Sequence, residues 1–301
     1  YLTGTGASFA GQNVRAVGTF GAQDVMGMST VVGYGIVVAI GLALVQRGKV
    51  RLVLLGLAAL LAVPLLLSLS RGGLIATVGA IAMMMLVMSP RLALRTALFG
   101  SAAAIVLIGA LGTTTKVATR LATIGTSVTG PDRSVSDRYE LWGTAIAIWR
   151  DHPATGVGLK MFAAYRDAYA PLHLSSGSDV AGPDLAFRRA PLLSPHNMYL
   201  LVLSEQGLIG AIAFGGLLFG LLVMTWRRTR EVSGRTGITE GRLPDGRLIS
   251  AVSVGVVSWT LLNFLFSDIG GSPAILMSVL LGLALGWAAQ PTGAARPGAG
   301  P

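Results

Sequence analysis

The stretch Ser194-Pro195-His196-Asn197-Met198-Tyr199 stands where a long polar segment, 113–194, meets a long apolar one. Ser194 is a good helix N-cap, and Pro195 suits the first helical position because its missing N–H is not needed there. We therefore predict a helix that places His196 and Asn197 in its first turn, at a membrane surface. The positive end of the helix dipole disfavours an imidazolium, so His196 is predicted to be neutral, the form a general base needs. A plain capping role at the helix entry would use the same residues.

The overall composition is that of a membrane protein. Hydrophobic residues make up 52% of the chain, charged residues 12%, and the mean hydropathy is +0.68. The charged share is about half of that in a soluble domain, which excludes a soluble globular enzyme. The chain has no cysteine, which excludes disulfides and thiolate metal ligands.

The apolar runs predict an all-α fold, a bundle of about seven transmembrane helices with a large extracytoplasmic loop that contains short amphipathic helices. The predicted spans are Met26–Val45, Leu52–Ser68, Leu74–Met88, Thr96–Leu111, Asn197–Trp226, Leu248–Phe266 and Pro273–Ala289.

These spans divide the chain into five segments. An entry segment (1–25) precedes spans one to four (26–112). The loop with the active-site residues (113–196) precedes spans five to seven (197–289), and a Pro/Gly/Ala tail (290–301) is predicted to be disordered. The first two spans are joined by a tight basic turn, 46–51, and spans five and six by a basic loop, 227–247.

The short connections carry an asymmetric charge. Eleven Lys and Arg residues follow spans one, three and five, whereas Arg71 stands alone in the short connection on the other side. By the positive-inside rule the basic connections are cytoplasmic, and the loop 113–196 with His196 is extracytoplasmic. The net charge of +10 then reflects topology and contact with membrane lipid. No nucleic-acid partner is predicted, because the basic loop has no interleaved aromatic residues.

Three arginines are candidates for binding an anion on the outer side. Arg71 adjoins a span between Ser70 and two glycines, and an arginine there is either functional or extends to the lipid headgroups. Arg138 lies in the loop and could instead pair with Asp137 or Glu140. Arg15 lies in the entry segment, where an arginine could also simply be solvated.

The loop itself contains a predicted amphipathic helix, Val135–Arg150, with Asp137 as its N-cap and Glu140 completing a capping box. Its apolar stripe would lie on the membrane surface or pack over the outer helix ends. The stripe consists of Leu141, Ala145, Ile148 and Trp149, with Trp142 and Ile146 beside it. Phe162, Tyr165 and Tyr169 suggest a second short interfacial helix. The three histidines share no metal-ligand spacing, so neither a metal nor a cofactor is predicted.

Six motifs follow one another along the chain: Arg15–Phe20, Ser70–Gly73, Arg138–Trp142, Asp151–Gly158, Pro195–Asn197 and Glu205–Gly210. Taken in that order, they resemble the O-antigen ligase and polymerase superfamily. The resemblance covers about Asn13 to Gly210. The turn after Phe20 reads Gly21-Ala22-Gln23-Asp24, where the family often has a Pro-Asn pair. The chain begins with Tyr1 and lacks the helices that members usually carry before the first motif, so we expect either that the chain is truncated or that the earlier helices are missing.

The resemblance implies a bacterial multi-pass enzyme of the cytoplasmic (inner) membrane. Such enzymes are glycosyltransferases of the cell envelope that move a glycan from an undecaprenyl-diphosphate carrier to a glycan, lipid or other envelope acceptor, without a metal ion. It further implies that Arg15, Arg71 and Arg138 bind the diphosphate and that His196 is catalytic. Asn197 would bind substrate, with Glu205 and Trp142 in support.

Other classes fit the sequence less well. A transporter or lipid-linked glycan flippase would place ionisable residues at mid-membrane, and the predicted spans hold almost none. A binding or scaffold protein would not explain why arginines and a histidine gather on one side. The order of the motifs does not favour the polytopic peptidoglycan-building family.

Overall fold

The chain folds as a helical membrane protein with one small β-ribbon. A computed structural model describes residues 7–9, 13–15, 25–68, 70–91, 93–94, 133–171, 174, 193–234, 245–268, 270–271 and 273–290. The ribbon pairs β1 (Ala7–Phe9) with β2 (Asn13–Arg15) in antiparallel register. It was not predicted, because three-residue strands leave too little pattern in a Gly-, Ala- and Thr-rich segment.

Eight described helices make up the rest of the fold. They are α1 (Val25–Val45), α2 (Gly48–Leu67), α3 (Arg71–Met88), α4 (Arg133–Asp151), α5 (Phe162–Tyr169), α6 (Met198–Gly234), α7 (Asp245–Asn263) and α8 (Pro273–Ala288).

Five of these helices are long and apolar enough to cross a membrane: α1, α2, α3, α6 and α7. Helix α8 is apolar but shorter, with 16 residues. These six helices correspond to six of the seven predicted spans, and the fourth predicted span, Thr96–Leu111, lies outside the described residues. Large apolar side chains on the outer surfaces of α2, α6 and α8 remain exposed, as expected for helices that face lipid.

The core lies where α1, α3 and α7 cross. Trp259 on α7 is fully buried, and its indole N–H donates to the Thr77 hydroxyl on α3 at 2.9 Å. The Tyr34 hydroxyl of α1 lies 2.7 Å from that of Thr260 on α7. Gly33 allows this approach, because a methyl group there would lie 2.6 Å from the Trp259 ring. Small residues thus bring the three helices into contact, and paired polar groups join them, as in other membrane bundles.

Helix α6 is sharply bent at Gly207, which has φ 63° and ψ −162°. The rings of Tyr199 and Phe214 stand 6.3 Å apart, whereas fifteen residues of straight helix would span about 22 Å. The ring of Phe264 packs against both of them. A short arm, Met198–Gln206, therefore precedes the long membrane arm, and this bend was not part of the predicted span Asn197–Trp226.

Several basic residues that were predicted to lie in turns and loops belong to helices. Lys49 and Arg51 belong to the first turns of α2, so the predicted turn 46–51 is shortened to the two residues before Gly48. Helix α6 continues through Arg227, Arg228 and Arg230 to Gly234. Apolarity alone made both predicted spans shorter than the helices at these ends, because a helix can extend beyond the membrane with its charged side chains in water. Residues 235–244 lie outside the described part.

The two ends of the bundle differ in character. At one end, Arg228 stacks over Trp287 at 5.0 Å, and the Trp287 N–H donates to the Ser250 hydroxyl at 3.0 Å. This end of α6, α7 and α8 carries the basic connections. The starts of α3 and α6 and the end of α7 meet at the other end, where His196 lies.

Candidate active site

His196 precedes helix α6 instead of lying in its first turn. The helix begins at Met198, and Asn197 is its N-cap, because the side-chain oxygen of Asn197 accepts from the Leu200 N–H at 3.1 Å. The Ser194 hydroxyl accepts from the His196 N–H at 3.2 Å, so the predicted capping role of Ser194 is wrong. Both Ser and Asn are strong caps, and the left-handed backbone of His196 (φ 49°) moves the start of the helix past Pro195.

The side chain of His196 is largely buried, with 28% of its surface exposed. Burial lowers its pKa below the ordinary value; the positive charge of Arg138 lowers it further, and the negative charge of Asp268 opposes the shift. A neutral imidazole near pH 7 is therefore favoured, as predicted, although desolvation is the leading cause and not the helix dipole assumed from the sequence.

A single turn, Phe264–Asp268, holds this segment in place. The Met198 N–H donates to the carbonyls of Phe264 (2.9 Å) and Ser267 (3.2 Å). The side-chain amide of Asn197 donates to the Leu265 carbonyl at 3.3 Å. Asp268 ends the turn, and its Oδ1 lies 3.9 Å from Nδ1 of His196. The loop before α6 is thus fixed to the end of α7 by backbone contacts.

Helix α3 begins at the same turn. Arg71 is its first residue, and Ser70 is its N-cap, with a hydroxyl that accepts from the Gly73 N–H at 3.3 Å. Gly72 packs directly on Phe266, and a methyl group there would lie 2.5 Å from the Phe266 Cβ. The fold therefore places the start of α3, with Arg71, at the end of the bundle that carries His196.

Helix α4 covers the site from the loop side. It begins at Arg133, so the predicted N-cap Asp137 and its capping box with Glu140 are wrong; both residues lie inside the helix. The Trp142 indole N–H donates to the Pro195 carbonyl at 2.9 Å. Arg138, one turn earlier, is close enough for its charge to act on His196.

The apolar stripe of α4 packs on protein. Leu141, Ala145 and Ile148 are buried against Phe162 of α5 and against Leu200 and Leu201 of α6. The sequence predicted that this stripe would lie either on the membrane surface or over the helix ends, and in the structure it packs over the helix ends. The predicted second short helix is α5.

Two sequence motifs lock together at the bend in α6. The N–H groups of Val157 and Gly158 donate to the carbonyls of Ser204 and Glu205, at 3.1 and 2.8 Å. In the other direction, the Leu208 N–H donates to the Pro153 carbonyl at 2.9 Å, and the Ile209 N–H donates to the Ala154 carbonyl at 3.2 Å. A helix bend leaves backbone groups unpaired, and these four bonds satisfy them.

Glycine is required on both sides of this contact. A methyl group on Gly207 would overlap the Ala154 carbonyl, and one on Gly156 would overlap the backbone of Glu205. The buried carboxylate of Glu205 accepts from the Phe162 N–H at 3.0 Å, which joins the short arm to the start of α5.

The structure thus brings together most of the residues singled out from the sequence. His196, Asn197, Arg138 and Trp142 form one cluster, and Arg71 begins a helix that borders it. Glu205 lies further along the short arm. The backbone of Arg15 ends β2, but its side chain lies outside the described part.

Asp268 is the residue that sequence reasoning did not include in the site. It lies in a different connection from His196, far away along the chain, and no spacing rule joins the two. The only available signal was its position at the outer end of a span.

The cluster has the chemistry of an anion site with a neutral base. Among the described residues, no group of three His, Asp or Glu side chains is arranged to hold a metal ion. A neutral imidazole can accept a proton, and guanidinium groups bind phosphate oxygens through paired hydrogen bonds.

Comparison with known proteins identifies one family. A family model described as O-antigen ligase matches residues 56–215, which is 160 of the 301 residues. The match includes α3, α4, α5, the His196 segment and the bend in α6. No curated protein matches the chain.

We predict that Gly207→Ala disrupts the contact between the two motifs. The alanine would meet the Ala154 carbonyl and adopt a backbone conformation that is nearly exclusive to glycine, at a cost of roughly 1–3 kcal/mol. Hydrogen exchange should become faster at the Val157 and Gly158 amides, and the melting temperature in detergent should fall. Gly215→Ala on the same helix is the control, because a methyl group there meets nothing within 4 Å. Equal exchange rates in both variants would contradict the conclusion that the contact between the two motifs requires glycine at position 207.

Proposed function

The chain belongs to the O-antigen ligase family, and on that premise we propose that it transfers a glycan from an undecaprenyl-diphosphate carrier to an acceptor hydroxyl. The family fixes the general activity, ligase- or polymerase-like glycan transfer in a membrane. The carrier, the residue roles and the membrane face are our proposals. The direct test is transfer of glycan from a purified undecaprenyl-diphosphate donor to a set of candidate acceptors.

One observation carries the proposal: a largely buried imidazole with a lowered pKa stands beside an arginine at the end of the bundle. Burial keeps His196 neutral and therefore basic, while the charge of Arg138 favours an anion near it. A site built only to cap a helix needs neither feature.

In the proposed step, the acceptor oxygen attacks the anomeric carbon of the donor sugar while its proton passes to His196. The bond between the anomeric carbon and the diphosphate oxygen breaks, and that oxygen leaves with the bonding electrons. Nδ1 of His196 is buried, so Nε2 is the nitrogen proposed to take the proton. General-base assistance of this kind contributes on the order of 10²–10⁴ in rate.

The arginines stabilise the departing diphosphate. Its oxygens gain charge as the bond breaks, and guanidinium groups bind them through paired, charge-assisted hydrogen bonds. Arg138 on α4 and Arg71 at the start of α3 are proposed to bind the diphosphate from different elements. Arg15 is proposed as a third contributor from the entry segment. A diphosphate is already a good leaving group, so no proton donor and no metal ion are invoked.

Three further residues hold this arrangement in place. The side-chain amide of Asn197 is engaged in two structural hydrogen bonds, which fix the loop next to His196. Its proposed contribution to substrate binding therefore acts through the position of the loop. Trp142 ties α4 to Pro195, and Glu205 ties the short arm to α5.

A transporter remains the alternative from another class, since broken helices are typical of transporters. Helix α6 is broken, at Gly207. However, the carbonyls of Ser204 and Glu205 at the break already accept hydrogen bonds from amide groups of the 153–158 segment, so the break serves a contact within the protein. This closed break favours the transferase.

We propose that the His196 end faces away from the cytoplasm in the bacterial inner membrane, as the basic connections indicate. The chain has no cysteine, so single-cysteine variants report position directly. Lys160→Cys, exposed between α4 and α5, should react with a membrane-impermeant maleimide in intact spheroplasts. Arg47→Cys at the opposite end should react only after permeabilisation. The reverse pattern would overturn the orientation.

Arg71→Ala and Arg138→Ala should each fold normally but lose at least about tenfold in transfer rate, because a diphosphate contact made through a guanidinium fork is lost. Lysine should restore little, because a point charge cannot replace the fork. Affinity for the donor lipid, measured by quenching or calorimetry, should fall in parallel. Arg150→Ala, exposed at the end of α4, and Arg91→Ala at the opposite end are the controls. Unchanged donor affinity in both test variants would refute diphosphate binding.

His196→Gln should reduce turnover by about 10²-fold or more, because glutamine keeps a polar group but has no basicity. Donor affinity should remain nearly unchanged, the reverse of the arginine result. In the wild type, activity should fall as the pH drops and His196 becomes protonated, with a midpoint below the ordinary value of 6.5 because its pKa is lowered. His152→Gln is the matched control. Near-normal turnover in His196→Gln would assign proton removal to another group.

A further inference from the structure

The buried nitrogen of His196 faces a carboxylate that the step described above does not use. Nδ1 of His196 is inaccessible to solvent and has no hydrogen-bond partner among the described residues. Oδ1 of Asp268 lies 3.9 Å from it. Buried polar atoms are almost always paired, so an unpaired ring nitrogen beside a carboxylate requires an explanation.

The backbones of both residues are held close together. The N-cap Asn197, next to His196, donates to the Leu265 carbonyl, and the Met198 N–H donates to the carbonyl of Ser267, next to Asp268. A hydrogen bond between the two side chains would require Nδ1 and Oδ1 to approach by about 1 Å. Catalytic hydrogen bonds are often long in the free enzyme and shorten when substrate binds.

We propose that Asp268 is the positioning residue of His196: its carboxylate accepts the Nδ1–H and so leaves the lone pair on Nε2. This inference rests on the base role proposed above for His196. When Nε2 takes the proton of the acceptor hydroxyl, the ring becomes an imidazolium and Asp268 remains a carboxylate. The proton then passes from Nε2 to solvent.

The charges around the ring fit this role. Arg138 of α4 faces His196 with a positive charge, which keeps the resting imidazole neutral but opposes the imidazolium formed during the reaction. Asp268, in the turn between α7 and α8, supplies the opposite charge. With 21% of its side chain exposed, the carboxylate is partly shielded from water, so its interaction with the ring is only partly screened.

The first test reads the tautomer of His196 by NMR, without using activity. The full chain contains only three histidines, so ¹⁵N-histidine labelling in lipid nanodiscs gives few signals, and His196→Gln assigns the one of interest. The wild type should show the Nδ1–H tautomer above pH 7. Asp268→Asn should shift the population toward Nε2–H, and Asp268→Glu should largely restore it. Glu231→Gln, the loss of a carboxylate at the opposite end, should change nothing.

The second test uses the transfer reaction. Asp268→Asn should lower turnover at least tenfold with little change in donor affinity, because the wrong tautomer offers no lone pair at Nε2. The acid limb of its pH profile should move to lower pH, since the negative charge that favours the imidazolium is gone. A purely structural role would lower turnover without moving the acid limb or the tautomer.

Several results would overturn the inference. One such result is an Asp268→Asn variant with the turnover and the acid limb of the wild type. Another is an Asp268→Asn variant that loses turnover while the tautomer of His196 stays unchanged. If Asp268→Asn does not fold, a wild-type His196 in the Nε2–H form would still refute it. The proposed function fails separately: normal turnover in His196→Gln removes the base role, whatever the tautomer measurement shows for Asp268.

Discussion

The requirement that every buried backbone polar group be paired governs the architecture around His196. A helix that breaks at Gly207 leaves carbonyl and amide groups without their helical partners. The 153–158 segment supplies four hydrogen bonds at this break. The bend and the loop segment therefore stabilise each other. This mutual stabilisation holds the short arm, with His196 at its start, under α4 and α5.

The architecture also requires the backbones of neighbouring helices to approach closely, and small residues allow this. Gly72 lets the start of α3 press against the turn after α7, and Gly33 admits the ring of Trp259 between helices. Without a hydrophobic driving force between helices in lipid, such contacts and buried polar pairs hold a bundle together. As a consequence, Arg71 and His196 reach the same end of the molecule although more than a hundred residues separate them.

The electrostatics of the site combine opposing effects. Burial and Arg138 keep His196 neutral, while Asp268 favours its charged form. The general base proposed here must be neutral at rest and must tolerate a positive charge during the reaction. Burial and Arg138 meet the first requirement, and Asp268 meets the second. Because the three residues lie on separate elements, their balance depends on how accurately the loop, the short arm and the turn after α7 fit together.

The sequence by itself determined the class of the protein, six of the apolar helices and the apolar stripe of α4. These follow from local composition and periodicity, which the fold does not alter. The sequence motifs also predicted His196, Arg71 and Arg138 as site residues, and their roles stay proposals. Only the tertiary structure decided that Asn197 caps α6 in place of Ser194, that α6 bends at Gly207, and that Asp268 faces His196. Each of these depends on a contact between residues distant in sequence. Local rules rate Ser and Asn as nearly equal caps and cannot tell an ordinary helical glycine from one that a distant loop requires.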